Sequence, residues 1–373
     1  MKKFSILFFC LLLLPALCTV CSCGGNPAGV KEITLGSVLP LTGDLASYGQ
    51  RPKNGIEMAV GEFNAQANGL KIRVVFEDNV GKPKDSANAY QKLVQVNKVP
   101  LVFGGGSSPE SLAMVPMANR DKVVLLSSVS SSPELARVGG QYFFRICPND
   151  AYQAVILAEW MHERGVKTVS TMFLNNSWGS ELAKAFDAKF TSLGGKVVAT
   201  ESCDPGATTF RAQISKMLAP NPEGIFSPTY GKEGGLFLRQ LKEAGYSGPV
   251  FGGDVWSSPE LIETAGNAAE GAYFCAPAQF AGDQFNSFVE RYKKRFGSEP
   301  DVYAALSYDM ANIICQAVQK GCVTGDSFQR YLASMPDYTG VTGSTRFDAH
   351  GDVIGKAFSR KVWKEGKAVD VEK

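Results

Sequence analysis

The sequence contains little histidine: His162 and His350 are the only two in 373 residues. Neither follows a predicted strand, where the base of a serine hydrolase would be needed, and no Gly-x-Ser-x-Gly motif occurs. The first predicted strand-to-helix turn reads Pro-Leu-Thr-Gly-Asp rather than Gly-x-Gly-x-x-Gly, which disfavours a dinucleotide-dependent enzyme. We therefore predict that the protein is not an enzyme.

Closely spaced cysteines are missing after residue 22. Besides Cys23, five widely separated cysteines remain there: Cys147, Cys203, Cys275, Cys315 and Cys322. Without a Cys-x-x-Cys pair and with so few histidines, a structural zinc site is disfavoured, and we predict neither a metal nor a cofactor. Cys315 and Cys322 flank the end of a predicted helix and are the one pair considered for a disulfide. For the others we favour buried free thiols.

Charge of one sign is not in excess. Lys2 and Lys3 are two of the 38 basic residues, and the remaining 36 equal the 36 acidic residues. This balance gives no indication of a nucleic-acid partner. The apolar run at residues 4–14 is too short to cross a membrane.

The N-terminal 22 residues have the pattern of a signal peptide. Two lysines precede the apolar run, and small and polar residues follow it up to Ser22. Residues 20–25, Val-Cys-Ser-Cys-Gly-Gly, resemble the lipobox of bacterial lipoproteins, with Cys23 as the acylated residue. Residues 23–31 would then be a short tether. We predict an exported protein in the periplasm or at the cell surface that contacts the membrane only through its lipid anchor. Plain secretion with incidental cysteines is the alternative.

The rest of the chain alternates short apolar strands with amphipathic helices. About 350 residues exceed the ~250–300 that usually form a single core, so we expect two domains. The alternation predicts an α/β fold with two doubly wound parallel-sheet lobes. The pattern breaks near Pro148 and again at residues 276–278. Two long helices follow, at residues 283–296 and 302–320, and then a strand pair around residues 365–366.

These breaks predict discontinuous lobes. Lobe 1 would comprise residues 32–147 and 278–356, because the two long helices most simply cover the first sheet. Lobe 2 would comprise residues 148–277 and 357–373. The chain would then cross between the lobes three times, and the three crossings would form a hinge.

Three predicted strand-to-helix turns contain the same four residues, Ser-Ser-Pro-Glu, at residues 107–110, 131–134 and 257–260. In each, serine suits the cap, proline the first helical position and glutamate the first turn. Ligands bind at the carboxyl ends of parallel strands, and helix N-termini with serine hydroxyls can hold a carboxylate without arginine. Gly106 and its two preceding glycines would let the backbone approach a ligand. Simple capping explains any one turn, whereas three equivalent turns favour a site.

Aromatic residues occur at three other turns of the same kind. Tyr48 follows the first strand, ahead of a helix predicted at residues 54–67, while Trp178 and Tyr230 follow two strands of the second lobe. One aromatic residue at a turn is most often local packing. Three at the carboxyl ends of strands indicate the walls of an apolar pocket.

From residue 33 to about residue 371, the chain resembles the type I periplasmic binding proteins of the leucine/isoleucine/valine-binding class. The resemblance depends on the order and spacing of several short motifs. They are residues 36–43 (GSVLPLTG), Tyr48-Gly49, residues 76–78 (FED), 104–108 (GGGSS), 131–135 (SSPEL), Trp178-Gly179 and residues 252–254 (GGD). The resemblance implies a monomeric solute-binding protein that captures a small amino acid, branched-chain type favoured, by lobe closure. It also implies a membrane permease of an ABC transporter as the partner.

The resemblance also assigns roles at the matching positions. Ser108 and Ser131 would hold the ligand carboxylate, with Ser107 and Gly106 beside them and backbone from Val129. Asp254 would meet the ammonium group, where the family often has glutamate. Trp178 stands where the family has tyrosine, and Tyr48 and Tyr230 match aromatic residues of the pocket. Gly81 and Ser107 replace the cysteines of a disulfide found in some members.

Two alternatives stay open at this point. Relatives of the fold bind aromatic acids, amides and urea, and Trp178 with the shorter Asp254 leaves room for such ligands. The same fold also serves as a ligand sensor for signalling partners, and the sequence does not distinguish a sensor from a transporter component.

Overall fold

The computed structural model of the protein describes residues 31–66, 69–278 and 280–371. The predicted signal peptide, Cys23 and most of the predicted tether lie outside these residues. No helix in the described ranges combines the length and the apolarity needed to cross a membrane.

The first lobe contains a sheet of five parallel strands in the order β2-β1-β3-β4-β5. Its short central strands are buried along their whole length, as expected for a sheet that is covered on both faces. The strands are β1 (Lys31–Leu39), β2 (Leu70–Asp78), β3 (Leu101–Gly104), β4 (Val124–Ser127) and β5 (Phe143–Arg145). The helices between them are α1 (Ala46–Gln66), α2 (Pro83–Gln95), α3 (Ser108–Asp121) and α4 (Pro133–Val138).

The second lobe contains a sheet of seven strands in the order β15-β14-β10-β9-β8-β6-β7. Five of these strands are parallel, whereas β14 and β15 are antiparallel additions at one edge. The strands are β6 (Thr168–Leu174), β7 (Lys196–Cys203), β8 (Gly224–Ser227), β9 (Val250–Gly252), β10 (Tyr273–Pro277), β14 (Phe358–Lys364) and β15 (Lys367–Asp370). The helices are α5 (Asp150–Glu163), α6 (Ser177–Ser192), α7 (Arg211–Leu218), α8 (Gly231–Glu243) and α9 (Pro259–Ala265), with 3-10 turns at Asp254–Ser257 and Gly266–Ala269.

Between β10 and β14 the chain returns to the first lobe. Helix α11 packs so closely on α1 that a Cβ atom on Gly55 would lie 2.2 Å from the carbonyl oxygen of Ala304. Helices α10 and α11 share one apolar core with the first sheet. The returning elements are α10 (Asp283–Phe296), α11 (Val302–Gln319), α12 (Gly325–Ser334) and a small antiparallel sheet of β11 (Tyr338–Gly340), β12 (Gly343–Phe347) and β13 (Val353–Ile354).

The predicted fold class is confirmed, because the chain forms two parallel-sheet lobes and passes between the two large sheets three times. The predicted pair of long helices and the terminal strand pair are also present. Helix α1 begins at Ala46, earlier than predicted, because Pro52 removes one backbone hydrogen bond without ending the helix. Tyr48 therefore lies in the first turn of α1 rather than in a loop.

The disulfide considered between Cys315 and Cys322 is wrong. All five cysteines in the described ranges are buried free thiols. Cys315 lies on the core side of α11, and the Sγ of Cys322 donates to the carbonyl oxygen of Ser327 at 3.6 Å.

Candidate ligand-binding site

A cavity lies between the two lobes, where the strands of both large sheets end. Eight residues predicted as ligand contacts line the cavity, together with three that were not predicted. The lining residues are Leu45, Tyr48, Gly106, Ser107, Ser108, Val129, Ser131, Trp178, Tyr230, Val255 and Tyr303.

The turn from β3 to α3 supplies serine hydroxyls to one wall of the cavity. The Oγ of Ser108 accepts the backbone N–H of Ser132 at 3.1 Å, so the hydroxyl proton of Ser108 is left to donate to a ligand. Ser107 occupies the N-cap of α3 but makes no capping bond, because its hydroxyl donates to Oε1 of Glu110 at 2.9 Å. The predicted capping by serine is therefore wrong for this turn.

Glu110 holds this turn in shape. It is fully buried, and its Oε2 accepts the backbone N–H of Gly106 at 2.9 Å and Nδ2 of Asn79 at 2.7 Å. Burial raises the pKa of Glu110, and the bonds from Asn79, Ser107 and Gly106 oppose that shift. The glutamate of the motif is thus a structural acceptor, and it binds the backbone amide of Gly106.

The turns after β3 and β4 are tied to each other. Gly105 has φ +80°, and a Cβ atom there would lie 1.9 Å from Oγ of Ser111, so only glycine fits. The Oγ of Ser130 donates to the carbonyl oxygen of Ser107 at 2.9 Å and lies 2.8 Å from Oγ of Ser111. In the second turn, Ser132 does cap its helix, since its side chain accepts the backbone N–H of Glu134.

Arg145 supports the β4 turn from behind and was not predicted. It is fully buried and donates to the carbonyl oxygens of Ser130 and Ser132 at 3.2 and 2.8 Å. Asp352 accepts from its Nε and its second terminal nitrogen at 2.6 and 2.9 Å. The cation therefore positions the turn and does not line the cavity.

Four aromatic rings enclose the opposite side of the cavity. Trp178 stacks on Tyr230 with 5.2 Å between centroids and 25° between planes. Tyr48 contacts Tyr230 at 5.9 Å and Tyr303 at 6.2 Å. Burial raises the pKa of Tyr48 and of Tyr230, which keeps both phenols neutral. These rings make a wall suited to an apolar side chain.

Asp254 lies behind the wall rather than in it. It is 5% exposed, and its Oδ2 accepts the hydroxyl of Tyr303 at 3.3 Å. Its Oδ1 accepts Nε2 of Gln153 at 3.2 Å, and its backbone N–H donates to Oε1 of the same glutamine at 2.8 Å. Burial raises the pKa of Asp254, and bonds from Gln153 and Tyr303 act against this.

A second carboxylate, Asp150, shares the glutamine with Asp254. Nε2 of Gln153 donates to Oδ1 of Asp150 at 2.7 Å, and the hydroxyl of Ser131 donates to its Oδ2 at 2.8 Å. Asp150 is fully buried. It directly follows the predicted linker at Pro148, and this position in the hinge is the one local feature that could have identified it.

Of the residues that sequence reasoning missed, Leu45 and Val255 are close neighbours of the predicted Tyr48 and Asp254. Tyr303 is different, because it lies on α11, far along the chain from every predicted contact. Within the described ranges, no group of three or more histidine, cysteine, aspartate or glutamate side chains is arranged to hold a metal ion.

The family model described as "periplasmic binding protein" matches residues 32–367, so the chain belongs to this family. The resemblance drawn from the sequence motifs is thereby confirmed. The family consists of exported solute-binding proteins rather than enzymes, in agreement with the prediction from the missing catalytic motifs.

Curated relatives match along nearly the whole chain. Leu/Ile/Val-binding protein homolog 3 of Brucella melitensis is 26% identical over 368 residues, covering 97% of this chain and all of the relative. A leucine-, isoleucine-, valine-, threonine- and alanine-binding protein of Pseudomonas aeruginosa is 24% identical over 328 residues, covering 87% of this chain and 88% of the relative.

Solved structures show the same architecture. The leucine-binding protein LivK of Thermotoga maritima superposes with a TM-score of 0.85 at 28% identity, covering 91% of this chain and 98% of that one. The branched-chain amino acid transporter substrate-binding protein LivJ of Streptococcus pneumoniae, solved with isoleucine, has a TM-score of 0.82 at 29% identity, covering 91% and 100%.

Proposed function

We propose that the protein is the extracytoplasmic binding component of an ABC importer and captures a small amino acid, with branched-chain side chains favoured. The observation that carries this proposal is the cavity in which the serine hydroxyls of one lobe face the aromatic wall. The relatives named above as leucine-, isoleucine- and valine-binding proteins support the ligand class.

The two ends of an amino acid suit the two ends of this cavity. Ser108, at the N-terminus of α3, offers a hydroxyl proton and a positive helix end to a carboxylate. Asp254 is the acidic group on the far side, reached past Tyr303. A branched apolar side chain would pack on Tyr48, Trp178 and Tyr230.

Substitution of Asp254 tests the ammonium contact. We expect Asp254→Asn to weaken leucine binding roughly 10- to 100-fold, since a charged hydrogen bond contributes about 1.5–3 kcal/mol. The deaminated analogue 4-methyl-2-oxopentanoate should lose far less. Isothermal titration calorimetry with both ligands on wild type and variant measures the difference.

Equal losses for the two ligands would rule out Asp254 as the ammonium partner. A wild-type protein that binds and is thermally stabilised by none of leucine, isoleucine and valine would rule out the proposed ligand class, because a bound ligand must raise the melting temperature with its concentration.

The second candidate ligand is an aromatic acid, an amide or a urea-type molecule. The four rings around the cavity favour it, because the face of a flat ligand would pack well against an aromatic wall. Benzoate or 3,4-dihydroxybenzoate should then stabilise the protein more than leucine does in the same thermal-shift panel.

The remaining parts of the proposal concern the whole chain. We propose that residues 32–147 with 278–356 form one moving body and residues 148–277 with 357–373 the other, and that the cavity forms as they close. Cys23 would carry the lipid anchor after removal of residues 1–22, the protein would act as a monomer, and a membrane permease would receive the closed form. A ligand sensor that signals to another protein is the alternative use of the same closure.

A further inference from the structure

Two buried carboxylates lie side by side at the cavity without a cation between them. Asp150 and Asp254 are 0% and 5% exposed, and both accept hydrogen bonds from the same Nε2 of Gln153. Among the ion pairs of the described residues, neither aspartate has a lysine or arginine partner. Two ionised carboxylates in such a place are unfavourable, because a buried charge must be paired or neutralised.

In the described part of the chain, the surrounding titratable groups form no direct ion pair with either aspartate. Burial raises the pKa of Cys147, Cys275 and Tyr303, which keeps all three neutral at physiological pH. Arg145 is the nearby cation, and its charge opposes the rise in the pKa of Asp150. Its donors bond to the carboxylate of Asp352, at 2.6 and 2.9 Å, and to two backbone carbonyl oxygens rather than to either aspartate.

We propose that Asp150 is a second acidic residue of the binding site and acts through Ser131. We also propose that the Asp150–Asp254 pair carries one proton in the empty site and releases it to solvent when an ammonium group binds. The proposal rests on the proposed capture of an amino acid. The ammonium then replaces the proton, so the net charge around the pair stays the same and no covalent bond changes.

Ser131 is the link between Asp150 and the cavity. Its one hydroxyl proton is donated to Asp150, so its oxygen faces the cavity as an acceptor. An acceptor suits an ammonium group and not a carboxylate. Ser108 keeps its proton for the ligand, and of the two serines it is therefore the one suited to the carboxylate.

The direction of the pH dependence follows from these contacts. Burial, and then the charge of Asp254, raise the pKa of Asp150 to about 8. A proton lost on binding makes binding stronger as pH rises. The affinity for leucine should therefore increase by up to about tenfold per pH unit below about 8, and level off above it.

Calorimetry in two buffers with different ionisation enthalpies tests the proposal directly. We expect wild type to release up to one proton per leucine near neutral pH, and Asp150→Asn to release almost none. Asp187→Asn is the matched control: burial also raises the pKa of Asp187, to about 6, but its partner is Thr171 and it does not line the cavity. This control should release protons as wild type does.

The outcomes separate this proposal from the proposed function. Leucine binding without proton release, and with an affinity independent of pH, would overturn the shared proton and leave amino acid capture standing. If no amino acid binds, the proposed function fails, and the ligand-free protein then decides the inference.

In the ligand-free protein, the folded state holds a proton that the unfolded chain gives up at its ordinary, lower pKa. The melting temperature of wild type should therefore fall as pH rises from about 4 towards about 8. Asp150→Asn should reduce this fall, and parallel curves for the two proteins would overturn the proposal.

Discussion

Among single residues, the ion pair of Arg145 and Asp352 stabilises the turn after β4, although neither residue lines the cavity. The guanidinium of Arg145 donates hydrogen bonds to Asp352 and to the carbonyl oxygens of Ser130 and Ser132. Both charges are largely withdrawn from water, with side chains 0% and 12% exposed. Removal of one partner leaves the other charge buried and uncompensated, and this is the costly case for an ion pair.

We therefore expect Asp352→Asn to lower the free energy of unfolding by about 3–5 kcal/mol. Urea denaturation of the ligand-free protein measures the change. Glu201→Gln is the control, because it removes a partly exposed pair with Lys216 and should cost less than about 1 kcal/mol. If both variants lose a similar amount of unfolding free energy, the buried pair stabilises the fold no more than the partly exposed pair does.

At the scale of elements, the binding surface is built by two neighbouring strand-to-helix turns that depend on each other's hydroxyls. Ser130 of the second turn reaches the carbonyl oxygens of Gly105 and Ser107 in the first, at 3.2 and 2.9 Å. The backbone at Gly105 must therefore stay in its left-handed conformation for both turns to keep their shape.

A pair of glycine substitutions separates backbone strain from loss of space. Gly105 and Gly165 have φ of +80° and +82°, but a Cβ atom meets Ser111 at 1.9 Å in the first and nothing within 4 Å in the second. Gly165→Ala should cost about 1–2 kcal/mol of stability through strain alone, without effect on ligand binding. Gly105→Ala should lower the stability by more than this and should also weaken ligand binding, because α3 and the turn after β4 must shift.

Thermal unfolding and ligand titration of the two glycine variants give both quantities. Equal destabilisation together with unchanged affinity in both would mean that the β3 turn adapts without disturbing the site.

At the scale of the whole molecule, the closed arrangement is held by contacts across the cleft. Tyr48 and Tyr303 lie on helices of the first lobe, yet their rings pack in the core of the second. Among the described residues, three ion pairs join the lobes around the cavity: Asp44–Lys232 at 3.2 Å, Arg51–Glu260 at 3.0 Å and Arg137–Glu181 at 2.9 Å. All three pairs include partly exposed side chains. Each pair therefore stabilises the closed arrangement only modestly, and salt screens it.

Loss of all three pairs should favour the open form. We expect the variant Arg51→Gln/Arg137→Gln/Lys232→Gln to have a larger ligand-free radius of gyration by small-angle X-ray scattering. Its ligand affinity should fall by up to about tenfold, because the apparent affinity scales with the fraction of protein in the competent state.

The matched control for this variant removes three pairs that do not cross between the lobes, two in the first lobe and one in the second, through Arg73→Gln/Lys92→Gln/Lys216→Gln. It should resemble wild type in both measurements. Identical scattering profiles for the cleft variant and the control would contradict a role for the rim pairs in closure.

The two-lobed α/β architecture and most of the cavity-lining residues could be predicted from the amino-acid sequence. Strand and helix periodicity are local properties, and turns at the carboxyl ends of parallel strands meet at one edge of a sheet wherever the intervening helices go. Ser108, Ser131, Trp178 and Tyr230 could therefore be named as neighbours before any coordinates.

The polar groups behind the cavity wall, in contrast, could be identified only from the folded structure. Gln153 meets Asp254 across 101 residues of sequence, and Arg145 meets Asp352 across 207. Such pairs depend on how helices return over a sheet, and no local periodicity encodes that. The physical environment follows from the same packing. In the sequence Asp150 is an ordinary acidic residue after a break in the pattern, and it becomes a buried carboxyl beside another one only when the second lobe folds and Gln153 joins it to Asp254.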